Sequence, residues 1–311
     1  MKSNRKNLIV IVGPTASGKS ALAVRLAKKF VGEVISADSR QVYRGLDIGT
    51  GKITRREMRG VRHHLLDVAE PQRQFSVAEF KERAQCAIRD INARGNIPFL
   101  VGGTAFWIDA LVHGMRLPAV PPNTALRKRL GKKNARELFQ ILLRLDLARA
   151  RTIERQNPRR LIRAIEIART LGRVPAIKKR LPYRVFWIGI SSSPERQKRR
   201  IHERLLKRIR AGMIAEAKKL HDNGLGWRRF HELGLEYRYL AEYLRGKLTK
   251  QEMTRELEKA IWRFARHQMS WWRRNKNILW LCQPAGADRA IKAFISPKTR
   301  RARGARRART G

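Results

Sequence analysis

The chain has 311 residues, 42% of them hydrophobic, a composition that supports a packed core and argues against general disorder. Its formal net charge of +46 attracts polyanions, and the polyanion it implies is nucleic acid. Lys298, Arg300, Arg301, Arg303, Arg306, Arg307 and Arg309 crowd the end of the chain, yet setting them aside leaves about +39, so the excess is spread widely. No uncharged apolar run reaches the roughly 18 residues a membrane span needs, and Leu8–Val12 is too short for a secretory signal. Cys86 and Cys282 stand far apart with no CxxC neighbour, so neither a disulfide framework nor a zinc site is expected. The expectation is a cytoplasmic monomer with no membrane contact.

Leu8–Val12 reads as a buried strand bounded by Gly13-Pro14, with a helix from Lys19 that places Leu22 and Leu26 one turn apart. A second strand, Val34–Ala37, ends in Asp38. A helical stretch from Ser76 to Arg94 leads to a third strand, Ile97–Val101, which ends in Gly102-Gly103-Thr104. From Gly114 to Tyr183 no strand pattern is found. Gly114, Pro118, Pro121 and Pro122 mark the exit from the sheet, and Gly172, Pro175 and Pro182 the return. Within that basic, helical stretch Asn157 is a helix cap with Pro158 at the first helical position. Leu161, Ile165 and Ala168 then face inward, leaving Arg159, Arg160 and Arg163 exposed. A fourth strand, Arg184–Ile190, runs into Ser191-Ser192-Ser193-Pro194 and another basic helix. Thr249 and Glu252 have capping-box spacing and open a long helix whose Trp262 and Trp272 belong mainly to the core.

Strands alternating with helices predict an α/β fold: a P-loop NTPase-like parallel sheet flanked by helices, with an all-helical insertion domain. The catalytic core is expected over 1–113 plus 184–285 and the insertion over 114–183. A basic tail, 286–311, is expected to be disordered. Ligands of such sheets sit at the carboxyl ends of the strands.

Gly13-Pro14-Thr15-Ala16-Ser17-Gly18-Lys19-Ser20 fits GxxxxGK(S/T) between a strand and a helix. Glycines let successive N–H groups converge on phosphate oxygens, and the helix start adds roughly half a positive charge. Lys19 would reach the terminal phosphate, and the Ser20 hydroxyl would hold Mg²⁺. The loop alone does not say whose phosphates it holds. A motor-type ATPase would next show an apolar strand ending in Asp or Glu; the third strand ends instead in Gly102-Gly103-Thr104.

Several further segments stand in a recognisable order: Ser36–Thr50, which includes Asp38-Ser39-Arg40-Gln41; His63–Asp67; Val101–Thr104; Asn157–Ala164; Gly234–Tyr237; and Arg263–Trp271. Together with the phosphate loop they resemble the bacterial tRNA dimethylallyltransferase (tRNA isopentenyltransferase) family over residues 8 to 281. The resemblance implies that the loop holds the diphosphate of dimethylallyl diphosphate, helped by Mg²⁺, and that the acceptor is the exocyclic amine of the adenosine 3′ of the anticodon in tRNA. It implies Asp38 as general base, Thr104 as a second partner of the amine, and RNA contacts from Ser39, Arg40, Gln41, Arg127, Gln156, Asn157, Pro158, Arg159 and Arg160. The chemistry agrees, because a carboxylate at the N–H of a poorly nucleophilic amine raises its reactivity as the C–N bond forms. Arg204 and Arg208 are candidates for stabilising the leaving diphosphate. Ala105, Phe106 and Trp107 depart from the family pattern, and Trp107 is placed to narrow the adenine pocket. The Arg-rich tail is expected to add affinity for RNA of any sequence.

Rival readings remain at this level. A small-molecule P-loop kinase accounts for the loop but not the charge. An enzyme that prenylates free adenine nucleotides shares the chemistry but needs no basic insertion. A non-catalytic RNA-binding GTPase- or ATPase-like module would not need Asp38.

Overall fold

The computed structural model describes residues 5–178, 180–281 and 286–296. The chain divides into two compact units, Met1–Val112 with Leu181–Gly311, and His113–Arg180. The first unit begins with β1 (Lys6–Val12), α1 (Lys19–Lys29), β2 (Gly32–Ser36), α2 (Arg55–Met58), β3 (His63–His64), α3 (Val77–Ala93), β4 (Ile97–Val101) and α4 (Ala105–Val112). The second unit holds α5 (Thr124–Leu130), α6 (Ala135–Leu145), α7 (Leu147–Thr152) and α8 (Pro158–Leu171). The first then resumes with β5 (Tyr183–Ile190), α9 (Pro194–Arg210), α10 (Met213–Asp222), α11 (Trp227–Leu233), α12 (Leu235–Leu244), α13 (Lys250–Trp272), β6 (Ile278–Leu281) and α14 (Ala287–Ile295).

All pairings in the six-stranded sheet are parallel, in the order β3-β2-β4-β1-β5-β6. β1 lies between β4 and β5, with Val10 opposite both Leu100 and Trp187. Helices cover both faces, so β1 has no polar face to show, and Leu8–Val12 are 0% exposed. The two-residue strand period divides that run. Leu8, Val10 and Val12 pack into one core with Phe80 of α3 and Trp272 of α13. Ile9 and Ile11 pack into the other with Leu22 and Leu26 of α1. Among the described residues, no helix is long and apolar enough to cross a membrane.

Two boundaries differ from the sequence reading. Residues 181–183 belong with the sheet unit, because Tyr183 opens β5 opposite Lys6. The tail drawn over 286–311 begins too soon. Ala287 and Ile291 are 0% exposed, one helical turn apart on α14, and pack in the core on the α1 face of the sheet. Phe294 stacks on Phe186 of β5, and Asp288 pairs with Arg25 and Lys29 of α1. A short apolar stripe and an acidic anchor therefore order a helix in a stretch whose basic surroundings suggested none. Residues 297–311 lie outside the described part.

The insertion unit has a core of its own, built from Leu126 and Leu130 of α5, Leu138 and Leu142 of α6, and Leu161 and Ile165 of α8. Asn157 caps α8, its side chain accepting the Arg160 N–H at 3.3 Å with Pro158 at the helix start.

Candidate active site

The phosphate loop connects β1 to α1 at the carboxyl edge of the sheet. Gly13 (φ +149°) is needed there, since a Cβ would stand 2.7 Å from the Ile190 carbonyl oxygen of β5. Gly18 (φ +93°) opens α1 with no side-chain cap and no acidic residue in the first turn. Elsewhere α2, α3, α6 and α13 each begin with a full capping box. The leading N–H groups of α1 thus lack the side-chain acceptor those helices carry, which suits an anion.

Electrostatics agree. Burial, then the charge of Arg204, lowers the Lys19 ammonium from its ordinary 10.5 to about 7, against the opposing pull of Asp38. Lys19 Nζ donates to the Pro14 carbonyl at 2.6 Å, bent back over its own loop. The Ser17 hydroxyl is buried without a hydrogen-bond partner among the described residues. A cationic cradle short of an acceptor is the arrangement an incoming polyphosphate completes.

The cradle opens into a cavity of about 650 Å³. Thr15–Ser20, Asp38, Gln41, Gly102, Gly103, Arg204 and Gln268 line it, together with apolar Val24, Ile53, Leu66 and Phe264. Asp38 follows β2, where its Oδ1 accepts the N–H groups of Arg40 at 2.9 Å and Gln41 at 3.4 Å. This local turn fixes the carboxylate and leaves Oδ2 without a hydrogen bond among the described residues. Thr104 follows β4, and its Oγ1 accepts the Ser39 N–H at 3.0 Å, so its own hydrogen remains to be donated. The two residues at adjoining strand ends are thereby tied through one backbone amide, and Thr104 directly follows Gly102 and Gly103 of the cavity lining without itself being part of it.

The sequence-derived candidates separate. Gln41 faces the cavity, its Nε2 donating to the Gly51 carbonyl at 3.5 Å. Arg40 turns toward α11, donating to the Glu232 carbonyl at 3.4 Å. Arg204 lines the cavity, whereas Arg208 donates to the Gly49 carbonyl at 2.7 Å and pairs with Glu236 at 3.1 Å. Trp107 does not narrow this cavity: it is buried and stacked on Phe80 with centroids 4.6 Å apart. Trp272 is buried, while Trp262 is only partly so, with Lys198 over its ring.

In the insertion unit Gln156, Arg159 and Arg160 are exposed at the start of α8, and Arg160 pairs with Glu154 at 3.1 Å. Arg163 is not exposed as the periodicity suggested. It bonds Glu166 and donates to the Val120 carbonyl at 2.9 Å. Arg127 grips the same carboxylate at 3.0 and 2.8 Å, and the Asn123 N–H reaches it at 2.6 Å. Glu166, 1% exposed, holds these together and carried no sequence signal beyond its place on an apolar stripe.

Other missed residues act at long range. Glu216 of α10 accepts the N–H groups of Asp47, Ile48 and Gly49 at 2.7 to 2.9 Å and the Tyr237 hydroxyl at 2.7 Å, which anchors the loop leading to Thr50 and Gly51 in the cavity wall. Gln268 and Gln197 bond the Thr15 backbone from α13 and α9.

Residues 41–275 match the IPP transferase family. The chain is 40% identical over 285 residues to the tRNA dimethylallyltransferase of Thermomicrobium roseum, across 89% of this chain and 87% of that one. A tRNA isopentenylpyrophosphate transferase of Bacillus halodurans has a similar structure, with a TM-score of 0.72 at 36% identity, over 93% of this chain and 97% of that one. A eukaryotic dimethylallyltransferase acting on tRNA gives a TM-score of 0.77 at 25% identity, over 92% and 78% of the two chains. Sheet, phosphate loop and sequence agree: this chain belongs to the IPP transferase family of prenyl-transferring enzymes.

Proposed function

We propose that the chain is a tRNA dimethylallyltransferase that moves the dimethylallyl group of dimethylallyl diphosphate onto N6 of adenosine 37, the residue 3′ of the anticodon. The supporting observation is that an anion cradle and Asp38 line one cavity whose lining also includes apolar residues that suit a five-carbon chain. The donor's diphosphate lies on the loop residues Gly13, Pro14, Thr15, Ala16, Ser17, Gly18, Lys19 and Ser20. N6 attacks the first carbon of the allyl chain, the C–O bond to the diphosphate breaks, and the N6 proton passes to Asp38 Oδ2. Thr104 donates its hydroxyl hydrogen near the adenine and keeps the Asp38–Ser39 turn in place. Lys19 and Arg204 meet the charge that develops on the leaving diphosphate, the kind of preorganised stabilisation that often dominates catalysis.

Mg²⁺ fits this site as a cation held by oxygens. The Ser20 hydroxyl lines the cavity, and the donor supplies the remaining oxygens. Among the described residues no group of three or more His, Cys, Asp or Glu is placed to hold a metal, so protein carboxylates do not build a cage for it. Bound there, Mg²⁺ would neutralise part of the diphosphate charge.

The adenosine reaches the cavity flipped out of its loop, with Ser39, Arg40 and Gln41 beside Asp38 as RNA contacts. Gln156, Asn157, Pro158, Arg159 and Arg160 present the start of α8 to the anticodon stem-loop, with Arg127 set by Glu166. The setting is the cytoplasm, and the enzyme works as a monomer. Neither a free nucleotide acceptor nor phosphoryl transfer to a small molecule is favoured.

Mass spectrometry of tRNA incubated with dimethylallyl diphosphate and Mg²⁺ tests the reading. The expected product carries one added prenyl unit on the adenosine beside the anticodon, with AMP a far poorer acceptor than an anticodon stem-loop. Protein that ignores prenyl donors yet hydrolyses nucleoside triphosphates briskly would overturn it.

A further inference from the structure

The peptide groups of Thr15 are held from two sides by buried side chains. The Thr15 N–H donates to Gln268 Oε1 at 2.8 Å, and Gln268 Nε2 donates to the Gly103 carbonyl at 3.0 Å. On the other side Gln197 Nε2 donates to the Thr15 carbonyl, and the Ser192 hydroxyl donates to Gln197 Oε1 at 2.8 Å. Gln268 is 7% exposed and Gln197 4%. A Cβ on Gly103 would stand 2.2 Å from Gln268 Nε2, so the backbone there has been brought up against the carboxamide.

The carboxamide of Gln268 therefore spans two parts of the site that the sequence separates widely. One end fixes the diphosphate loop and the other fixes the residue before Thr104. Only a group that accepts at one atom and donates at the next can satisfy both, and among side chains of this length that is glutamine. The loop has reason to need such a hold. Ala16, the next residue, sits at φ +59°, a conformation that persists for an alanine only where its surroundings over-determine it. With its N–H taken by Gln268, Thr15 leaves phosphate binding to the amides that follow.

We propose that Gln268 is a positioning residue that locks the diphosphate cradle to the Gly103–Thr104 end of β4, and so sets the spacing between leaving group and acceptor amine. The proposal rests on the transfer reaction read above. Gln268 acts through Thr15 and Gly103, the two groups its carboxamide bonds. Small displacements of reacting groups cost about 10²-fold in rate, so a loosened strut is expected to register in turnover.

Two variants test it. Gln268→Glu keeps the length but, when ionised, has no hydrogen for the Gly103 carbonyl, and Gln268→Met fills the space with no hydrogen bonds. Pyrophosphate affinity is read by calorimetry, which needs no turnover, and tRNA affinity and kcat are measured well below each variant's melting temperature. Whether the unaltered protein prenylates tRNA decides the reaction itself, separately. The expected result is a fall in pyrophosphate affinity of about tenfold and in kcat of about 10²-fold, with tRNA affinity within about twofold of the unaltered protein. If only one variant folds, that one decides. The proposal is overturned if a folded variant keeps its pyrophosphate affinity, or if tRNA affinity falls in step with it.

Discussion

The two edges of the sheet each bury an ionisable group, and they treat it in opposite ways. At the amino edge lies Glu33 on β2. Burial alone would raise its carboxyl, but hydrogen bonds from Arg94, His64 and Asn96 override this and hold it at about 2. Arg94 binds it at 2.8 and 2.9 Å, Asn96 at 2.9 Å and His64 at 2.7 Å, so the charge is complete within the protein. At the carboxyl edge Lys19 has another cation for a neighbour, the Ser17 hydroxyl has no partner among the described residues, and α1 begins without a side-chain cap. One edge is electrostatically finished and serves stability. The other is short of an anion, which is what the proposed binding and chemistry would supply.

This contrast breaks if either edge does the other's work. The largest expected effect is at the carboxyl edge. Asp38→Asn should lower turnover at least ~10²-fold while tRNA binding and melting temperature stay near those of the unaltered protein. A variant that retains full prenyl transfer would remove Asp38 as the base.

Glu33→Gln should do the reverse. Removing the charge from a buried, fully bonded carboxylate costs about 2 kcal/mol, or a melting temperature lower by roughly 3–4 °C in a chain of this size, with turnover at low temperature unchanged. The pH dependence has a definite sign. The folded-state value lies below the ordinary 4.5 of a glutamate, so the contribution is complete above that pH and is lost as pH falls toward about 2. Chemical denaturation of both proteins across that window should show the gap between them narrowing with acid. A gap that widens would mean the cluster is not what holds the amino edge.

How much of this was legible in the sequence depended on separation along the chain. The positions of the phosphate loop, Asp38 and Thr104 at strand ends were readable because each is local: a strand, a short polar segment and a helix or turn. The capping boxes at Ser76 and Thr249 are equally visible in their spacing. Gln268 and Gln197 were not, because their value lies in meeting Thr15 from helices far along the chain, and a lone glutamine on a helix face carries no such signal. Glu33, Glu166 and Glu216 were missed for the same reason: each is an acid whose partners are assembled only by the fold. β3 and β6, two and four residues long, are too brief for a periodicity to declare itself. In α14 the apolar spacing of Ala287, Ile291 and Phe294 was present, but the charge of the segment beyond it drew the boundary too early.

A finer and smaller effect sharpens the comparison at Lys19. In the free protein its ammonium lies at about 7, so near pH 8 much of it is neutral. A bound diphosphate favours the charged form and raises the value again. Binding above pH 7 must therefore take up a proton, and affinity should weaken by up to about tenfold per pH unit there while changing little below. Calorimetric titration with dimethylallyl diphosphate in two buffers of different ionisation enthalpy counts that proton. Lys19→Met serves as the reference that subtracts the ligand's own titration. Arg204→Gln removes the neighbouring cation that helps depress Lys19, so the pH at which affinity begins to fall should move upward. Equal proton uptake in the unaltered protein and in Lys19→Met would mean that Lys19 is charged throughout, and the carboxyl edge would then be as finished as the amino one.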